Sequence, residues 1–281
     1  LQIVIKINAM ILLAVFWYLC ILSQCLSVEG VLTTGVSPIN ATIDIIKNHI
    51  NGTNSSCSSY NDPEYLDIRH FIKVRGLKPI CPVGRNRKLT TAYLTLAALN
   101  LPSGDFVETG VFSGGTFAIM SRILMKYDLC ERKLWAFDSF EGLPEIEPED
   151  HKGAFRVGIP GQYKNSEERF ISNLRQLDAW HDGHIVVAKG WFNDTCEASA
   201  VTAIAFLRLD GDLFTSTWDA IEPLYDRVVS GGFIYVDDYG SFNGCKAAID
   251  KFRTERGITD TMHPVQENKN LHAEAVWWRK W

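Results

Sequence analysis

The chain has 281 residues, with 33 acidic against 28 basic side chains and a net charge of -5. One core of about 200 residues buries enough apolar surface to stand alone, so a second full domain is not expected. A surface without basic excess gains little from counterion release, which argues against a nucleic-acid partner.

The first segment differs from the rest. After Lys6 the stretch Ile7 to Leu22 is almost wholly apolar, with Trp17 and Tyr18 near its middle. Read from Met10, the run Ile11 to Leu22 has signal-peptide length and is followed by the small residues Cys25 and Ser27. Read from a longer start, it has the length to span a bilayer. Residues 1–27 are therefore expected to be a signal peptide or a membrane anchor. Residues 28–76 read as a polar stem or linker that carries sequons at Asn40, Asn51 and Asn54; a fourth, at Asn193, falls in the expected folded domain. The clustering favours the secretory lumen or secretion; the competing reading is a disordered cytoplasmic linker with accidental sequons. Beyond the leader, Cys57, Cys81, Cys130, Cys196 and Cys245 are odd in number and lack zinc-ligand spacing, so they do not fix the redox compartment.

From residue 88 onward helical and extended segments alternate, the pattern of a mostly parallel sheet with helices on both faces. Lys88 to Leu99 reads as a helix, Asp105 to Thr109 as a strand, and Gly110 to Gly115 as a loop. A helix follows, with Phe117, Met120, Ile123, Leu124 and Tyr127 on one face. Lys133 to Phe137 is the second strand. The long acidic, glycine-rich stretch after it, to about Asn165, has the character of a functional lid or a disordered loop. Ser166 to Leu177 is helical, His184 to Ala188 is the third strand, and Ala203 to Leu209 is a fourth, apolar except for Arg208. Ser216 to Val229 reads as a helix ended by Gly231-Gly232, with Phe233 to Val236 as the fifth strand. A helix from Cys245 to Arg256 leads to extended segments 262–266 and 272–279, an antiparallel pair at the sheet edge. The domain is expected to span residues 77–281.

Strand ends in such a sheet face the ligand crevice, and here they are acidic or glycine-rich. Gly110, Gly114 and Gly115 do not make the G-x-G-x-x-G of a dinucleotide fold. Glu108, just before them, would repel a pyrophosphate but suits the cationic amino group of a bound amino acid. Asp138 is placed to accept hydrogen bonds from a ribose diol; the bland alternative is a loop-capping Asx turn. Asp210, Asp212, Asp237 and Asp238 end the fourth and fifth strands. Four carboxylates there repel one another unless a proton or cation intervenes, and all-oxygen donors favour Mg²⁺. Helix capping and turn formation are the structural alternative. The histidines show no metal spacing, and Trp277-Trp278 reads as sheet packing.

At these positions the sequence resembles the macrocin O-methyltransferase family. The likeness runs in order through Phe106-Val107-Glu108-Thr109-Gly110-Val111, Asp138-Ser139-Phe140-Glu141-Gly142-Leu143-Pro144, Lys189-Gly190-Trp191-Phe192 and Leu207-Arg208-Leu209-Asp210-Gly211-Asp212. It continues through Gly231-Gly232-Phe233, Asp237-Asp238-Tyr239-Gly240, Gly244-Cys245-Lys246 and Trp278-Arg279-Lys280. The resemblance implies a Rossmann-like class I methyltransferase fold with a seven-stranded, mostly parallel sheet. It implies S-adenosylmethionine held by the Glu108 to Gly115 loop, including Thr109, Gly110, Gly114 and Gly115, and by Asp138, Ser139 and Gly190. It further implies Mg²⁺ on Asp210, Asp237 and Asp238, with Asp212 as general base, and a sugar-like hydroxyl acceptor on a small molecule or glycan. A nicotinamide-dependent oxidoreductase and a catalytically silent sugar-binding protein are the rival functions. A membrane, through the N-terminal segment, and a second copy of the chain are the further partners considered.

Overall fold

The computed structural model describes residues 80–127, 132–267 and 273–281. The leader, the stem with its three sequons, Cys57 and Cys130 lie outside the described residues. The described chain runs α1 (Arg85–Ala98), β1 (Asp105–Thr109), α2 (Gly115–Tyr127), β2 (Leu134–Asp138), a 3-10 turn (Pro148–His151), α3 (Glu167–Gln176) and β3 (Ile185–Lys189). It continues with α4 (Phe192–Thr195), β4 (Ile204–Leu209), α5 (Phe214–Tyr225), β5 (Val228–Val236), α6 (Asn243–Glu255), β6 (His263–Val265) and β7 (Ala275–Arg279). The strands form one seven-stranded sheet in the order β3-β2-β1-β4-β5-β7-β6, and only β7 breaks the parallel run by pairing antiparallel with β5 and β6. This is the expected architecture.

Side chains alternate between the faces of each strand, so each face builds its own core. Phe106, Ala136, Phe206 and Tyr235 pack with Leu94 of α1, Phe117 of α2 and Phe170 of α3. On the other face Val107, Phe137, Leu207 and Ile234 pack with Ile221 of α5, Ile249 of α6 and Cys196 just beyond α4. Trp278 is wholly buried in that second core, which makes it packing, as expected. Local chemistry starts the helices where the sheet needs them. The Ser166 hydroxyl caps α3 by accepting from Arg169 N at 3.2 Å, and Glu167 and Glu168 complement the helix dipole. The amides of Asn86 and Arg87, in the first turn of α1, donate to the Glu267 carboxylate at 3.0 and 2.6 Å. Among the described residues no helix is long and apolar enough to cross a membrane.

One expected element is wrong. The helix read as Ser216 to Val229 ends at Tyr225, and Val228 and Val229 already belong to β5. Gly231-Gly232 is not a helix terminator but a break in strand register: Ile204 pairs with Val228, whereas Phe206 pairs with Phe233. The extra residues bulge out at Gly231, whose φ of +83° suits glycine, and a Cβ at Gly232 would lie 2.6 Å from Val228 Cγ1. The apolar residues of the bulged strand mimic helical spacing, which hid the change of period. The short helix α4 was not expected. The acidic stretch after β2 is neither free nor disordered: it is pinned to α5 and α6, as described below.

Candidate active site

The carboxyl ends of β1, β2, β4 and β5 open into a cavity of about 420 Å³, which α1, the stretch after β2, and α4 complete. Three non-glycine residues on its wall hold the left-handed backbone conformation: Phe112 at φ 45°, Tyr163 at φ 64° and Asp212 at φ 59°. Such conformations persist only where surrounding structure imposes them, and they gather at working sites.

Asp138 illustrates how the glycine loop is held. Its Oδ2 accepts from Val111 N at 2.8 Å and Phe112 N at 2.9 Å, while Oδ1 accepts from Phe140 N at 2.7 Å. The Asx turn and the cavity-facing position are therefore both realised. Burial pushes its carboxyl up, and the three amide bonds pull against that. An ionised carboxylate has about four acceptor sites, so one is left for a ligand hydroxyl. Gly110 takes φ +80°, and a Cβ there would lie 1.9 Å from the Asp210 carbonyl oxygen. Only glycine lets β1 turn so close to the end of β4.

Of the residues expected to hold the cofactor, Gly110, Gly115, Asp138, Ser139 and Gly190 line the cavity. Glu108, Thr109 and Gly114 are one layer behind the wall. Strand geometry explains Glu108: it is the cross-strand partner of Arg208 on the α1 face, so its carboxylate meets that guanidinium at 2.8 Å and the Thr116 hydroxyl at 2.5 Å. Burial pushes Glu108 up to about 7, against the pull of Arg208. Its Oε2 is buried without a hydrogen-bond partner, an orphaned acceptor beside the cavity-lining Thr116. An anionic acceptor next to a donor-rich glycine loop fits the zwitterionic end of S-adenosylmethionine.

Three of the four strand-end aspartates come together at the carboxyl edge of the sheet. One carboxylate oxygen from each of Asp210, Asp237 and Asp238 lies within 4.8 Å of the others, and Asp212 is outside that group. Two arginines brace it. Arg208 meets Asp210 and Asp237 at 2.6 Å each, and Arg87 of α1 meets Asp237 at 2.8 Å and Asp238 at 3.4 Å. Arg208 also meets Glu108, and Arg87 also meets Glu267 at 3.7 Å and Glu274 at 3.3 Å, so with Asp212 seven carboxylates gather around these two guanidiniums. The surplus shows in Asp212, pushed well above the carboxylate range by burial and by Asp210, and in Asp238, pushed up by burial and by Asp212. Asp237 is raised by burial despite both arginines. A largely buried, all-oxygen group whose carboxylates outnumber the guanidiniums beside it is the environment a hard divalent cation stabilises, so the donor set fits Mg²⁺.

Beside Asp212 stands Tyr163, whose hydroxyl is raised by burial and by the Asp212 charge; Arg156 and Phe242 line the same part of the wall. Sequence reasoning did not find Arg87, Arg156 or Tyr163. Each comes from a segment far from the acidic strand ends, with no local spacing to announce it. Arg208 did leave a signal, as the one charge in an apolar strand.

Comparison with known proteins gives concordant findings. The family described as Macrocin-O-methyltransferase (TylF) matches residues 80–280. The demethyldecarbamoylnovobiocin O-methyltransferase of Streptomyces niveus is 35% identical over 184 residues, covering 64% of this chain and 67% of that protein. The 8-demethyl-8-(2,3-dimethoxy-alpha-L-rhamnosyl)-tetracenomycin-C 4'-O-methyltransferase of Streptomyces olivaceus is 34% identical over 188 residues, 66% of this chain and 69% of that one. Among solved structures, the O-methyltransferase NovP superposes with a TM-score of 0.62 at 28% identity, covering 76% of this chain and 97% of its own.

Proposed function

Since the chain belongs to the macrocin O-methyltransferase family, we propose that it methylates a sugar hydroxyl of a glycosylated small molecule or glycan, using S-adenosylmethionine, with Mg²⁺ on Asp210, Asp237 and Asp238 and Asp212 as general base. The observation that carries this reading is the opening of two sites into one cavity: the loop anchored by Asp138 and the three-carboxylate group. The sugar acceptor is taken from the Streptomyces olivaceus relative, whose substrate bears a rhamnosyl group. The nicotinamide alternative has no support in the family or in the glycine spacing.

S-adenosylmethionine supplies a methyl group already activated by its positive sulfur. Mg²⁺ supplies positive charge that lowers the pKa of a sugar hydroxyl. The protein's own work is to orient the acceptor and receive a proton, and proximity does much of it. Gly110, Gly115 and Gly190 give the cofactor a wall without side chains, and Ser139 and Asp138 offer hydrogen bonds at its edge. Glu108, behind Thr116, adds negative charge without entering the cavity. Asp212, on a left-handed backbone at the cavity wall and not one of the three clustered carboxylates, shares a hydrogen bond with Asp238 and is the residue assigned to receive the acceptor's proton. Tyr163 and Arg156 supply polar contacts for the rest of the acceptor.

The test is to incubate the full chain with methyl-labelled S-adenosylmethionine and a panel of neutral glycosides, with chelator and with added Mg²⁺. Label should appear on a glycoside oxygen, vanish with chelator and return with Mg²⁺. Thermal protection by NAD and none by S-adenosylhomocysteine would overturn the cofactor assignment, and chelator-resistant transfer would overturn the metal.

A further inference from the structure

Arg208 is the one charged residue in β4, a strand buried along its whole length. Its side chain is fully buried, and its fork reaches three strand ends: Nη1 donates to Glu108 Oε1 at 2.8 Å and to Asp210 Oδ2 at 2.6 Å, and Nη2 donates to Asp237 Oδ1 at 2.6 Å. Nε points to the Thr91 hydroxyl of α1 at 3.4 Å, and the guanidinium carbon lies 5.4 Å from the Tyr235 ring centroid. Register sets this arrangement. Glu108, Arg208 and Tyr235 are cross-strand partners in one row, and Asp210 and Asp237 are the next residues on the same face.

Stability alone is a poor reason to keep such a residue, because well-packed apolar side chains replace buried ion pairs with little or no loss. What apolar side chains cannot do is hold three carboxylates at fixed separations. Glu108 touches Thr116 on the cofactor side of the cavity, while Asp210 and Asp237 belong to the three-carboxylate group. We propose that Arg208 is a positioning residue that fixes the Asp210 and Asp237 carboxylates for a divalent cation and ties them, through Glu108 and Thr116, to the cofactor wall. The inference rests on the function proposed above. Lysine would not serve, since a single ammonium cannot offer the planar, many-donor fork that spans three acceptors.

Charge and position make opposite predictions. If Arg208 acted only through its charge, Arg208→Met would bind a divalent cation more tightly, because a repelling neighbour is gone, and Arg208→Lys would bind it as the parent does. If Arg208 acts by position, both variants bind the cation more weakly. The probe is Mn²⁺, followed by the electron paramagnetic resonance of the free ion, on the full chain without acceptor; S-adenosylhomocysteine affinity is read by calorimetry and folding by circular dichroism. Arg208→Lys should raise the Mn²⁺ dissociation constant at least tenfold and that of S-adenosylhomocysteine at least threefold. Arg208→Met, where it folds, should shift both the same way. A folded Arg208→Lys with parental Mn²⁺ and S-adenosylhomocysteine constants would overturn the inference while leaving the proposed function standing. Absence of Mn²⁺ binding by the parent chain would remove both the inference and the metal part of the proposed function.

Discussion

At the scale of single residues, a metal ligand and a general base fail differently. Asp238 sits in the three-carboxylate group, so Asp238→Asn should raise the Mg²⁺ concentration needed for half-maximal activity and leave rate at saturating metal. Asp212 is outside the group, and Asp212→Asn should lower turnover by about 10²- to 10⁴-fold at an unchanged Mg²⁺ requirement. Metal titration of the initial rate distinguishes them; recovery of Asp212→Asn by added Mg²⁺ would make Asp212 a ligand. Asp138 has a double role that its sequence position only half reveals. An acid at the tip of β2 suggests a ribose contact, but the amides of Val111 and Phe112 belong to a loop 26 or 27 residues away, and nothing local foretells them. Asp138→Ala should therefore weaken S-adenosylhomocysteine binding by about 1–3 kcal/mol and lower the melting temperature as well, since it removes the loop's anchor. Calorimetry with unchanged affinity would show that the carboxylate serves only the loop.

At the scale of elements, legibility followed the strength of the local period. The strands flanking the site were readable because buried parallel strands are mostly apolar and here run to Asp138, Asp210 and Asp237. The β5 bulge was not, because three extra residues in a register shift leave no trace in composition. Nor was the anchoring of the stretch after β2, which depends on long-range contacts. Asp150 Oδ1 accepts from Phe214 N at 2.8 Å at the start of α5. Asn243, opening α6, accepts from Phe155 N at 2.7 Å and donates to the carbonyls of Asp150 at 3.2 Å and Phe155 at 3.0 Å. These bonds set the backbone on which Arg156 and Tyr163 reach the cavity. Removing Asn243's side chain forfeits three hydrogen bonds, each contributing about 0.5–1.5 kcal/mol. Asn243→Ala should make this stretch the first site of limited proteolysis and raise the acceptor KM several-fold, with S-adenosylhomocysteine affinity within twofold of the parent. An unaltered cleavage pattern would contradict the anchoring role.

At the scale of the whole molecule, the sequons and the cavity constrain each other. Placement in the secretory lumen is a proposal that rests on the apolar leader and on Asn40, Asn51 and Asn54, which the described residues do not include. Asn193 is different, because it is described: it lies on α4, its side chain is exposed, and it lines the cavity beside Gly190 and Trp191. An N-glycan is bulky and hydrophilic, and at this position it would stand in the mouth through which cofactor and acceptor must pass. If the glycan blocks that opening, luminal placement and catalysis are compatible only where Asn193 stays bare. Expression in a eukaryotic cell, followed by capture on immobilised S-adenosylhomocysteine and glycopeptide mapping, tests both halves together. The retained fraction should lose mass on glycosidase treatment, with occupancy at Asn40, Asn51 or Asn54 and none at Asn193. A retained fraction fully glycosylated at Asn193 would show that the mouth tolerates the glycan. A cytosolic chain with no glycan at any of the four would overturn the luminal placement and leave the methyltransferase assignment untouched, because that rests on the cavity and the family alone.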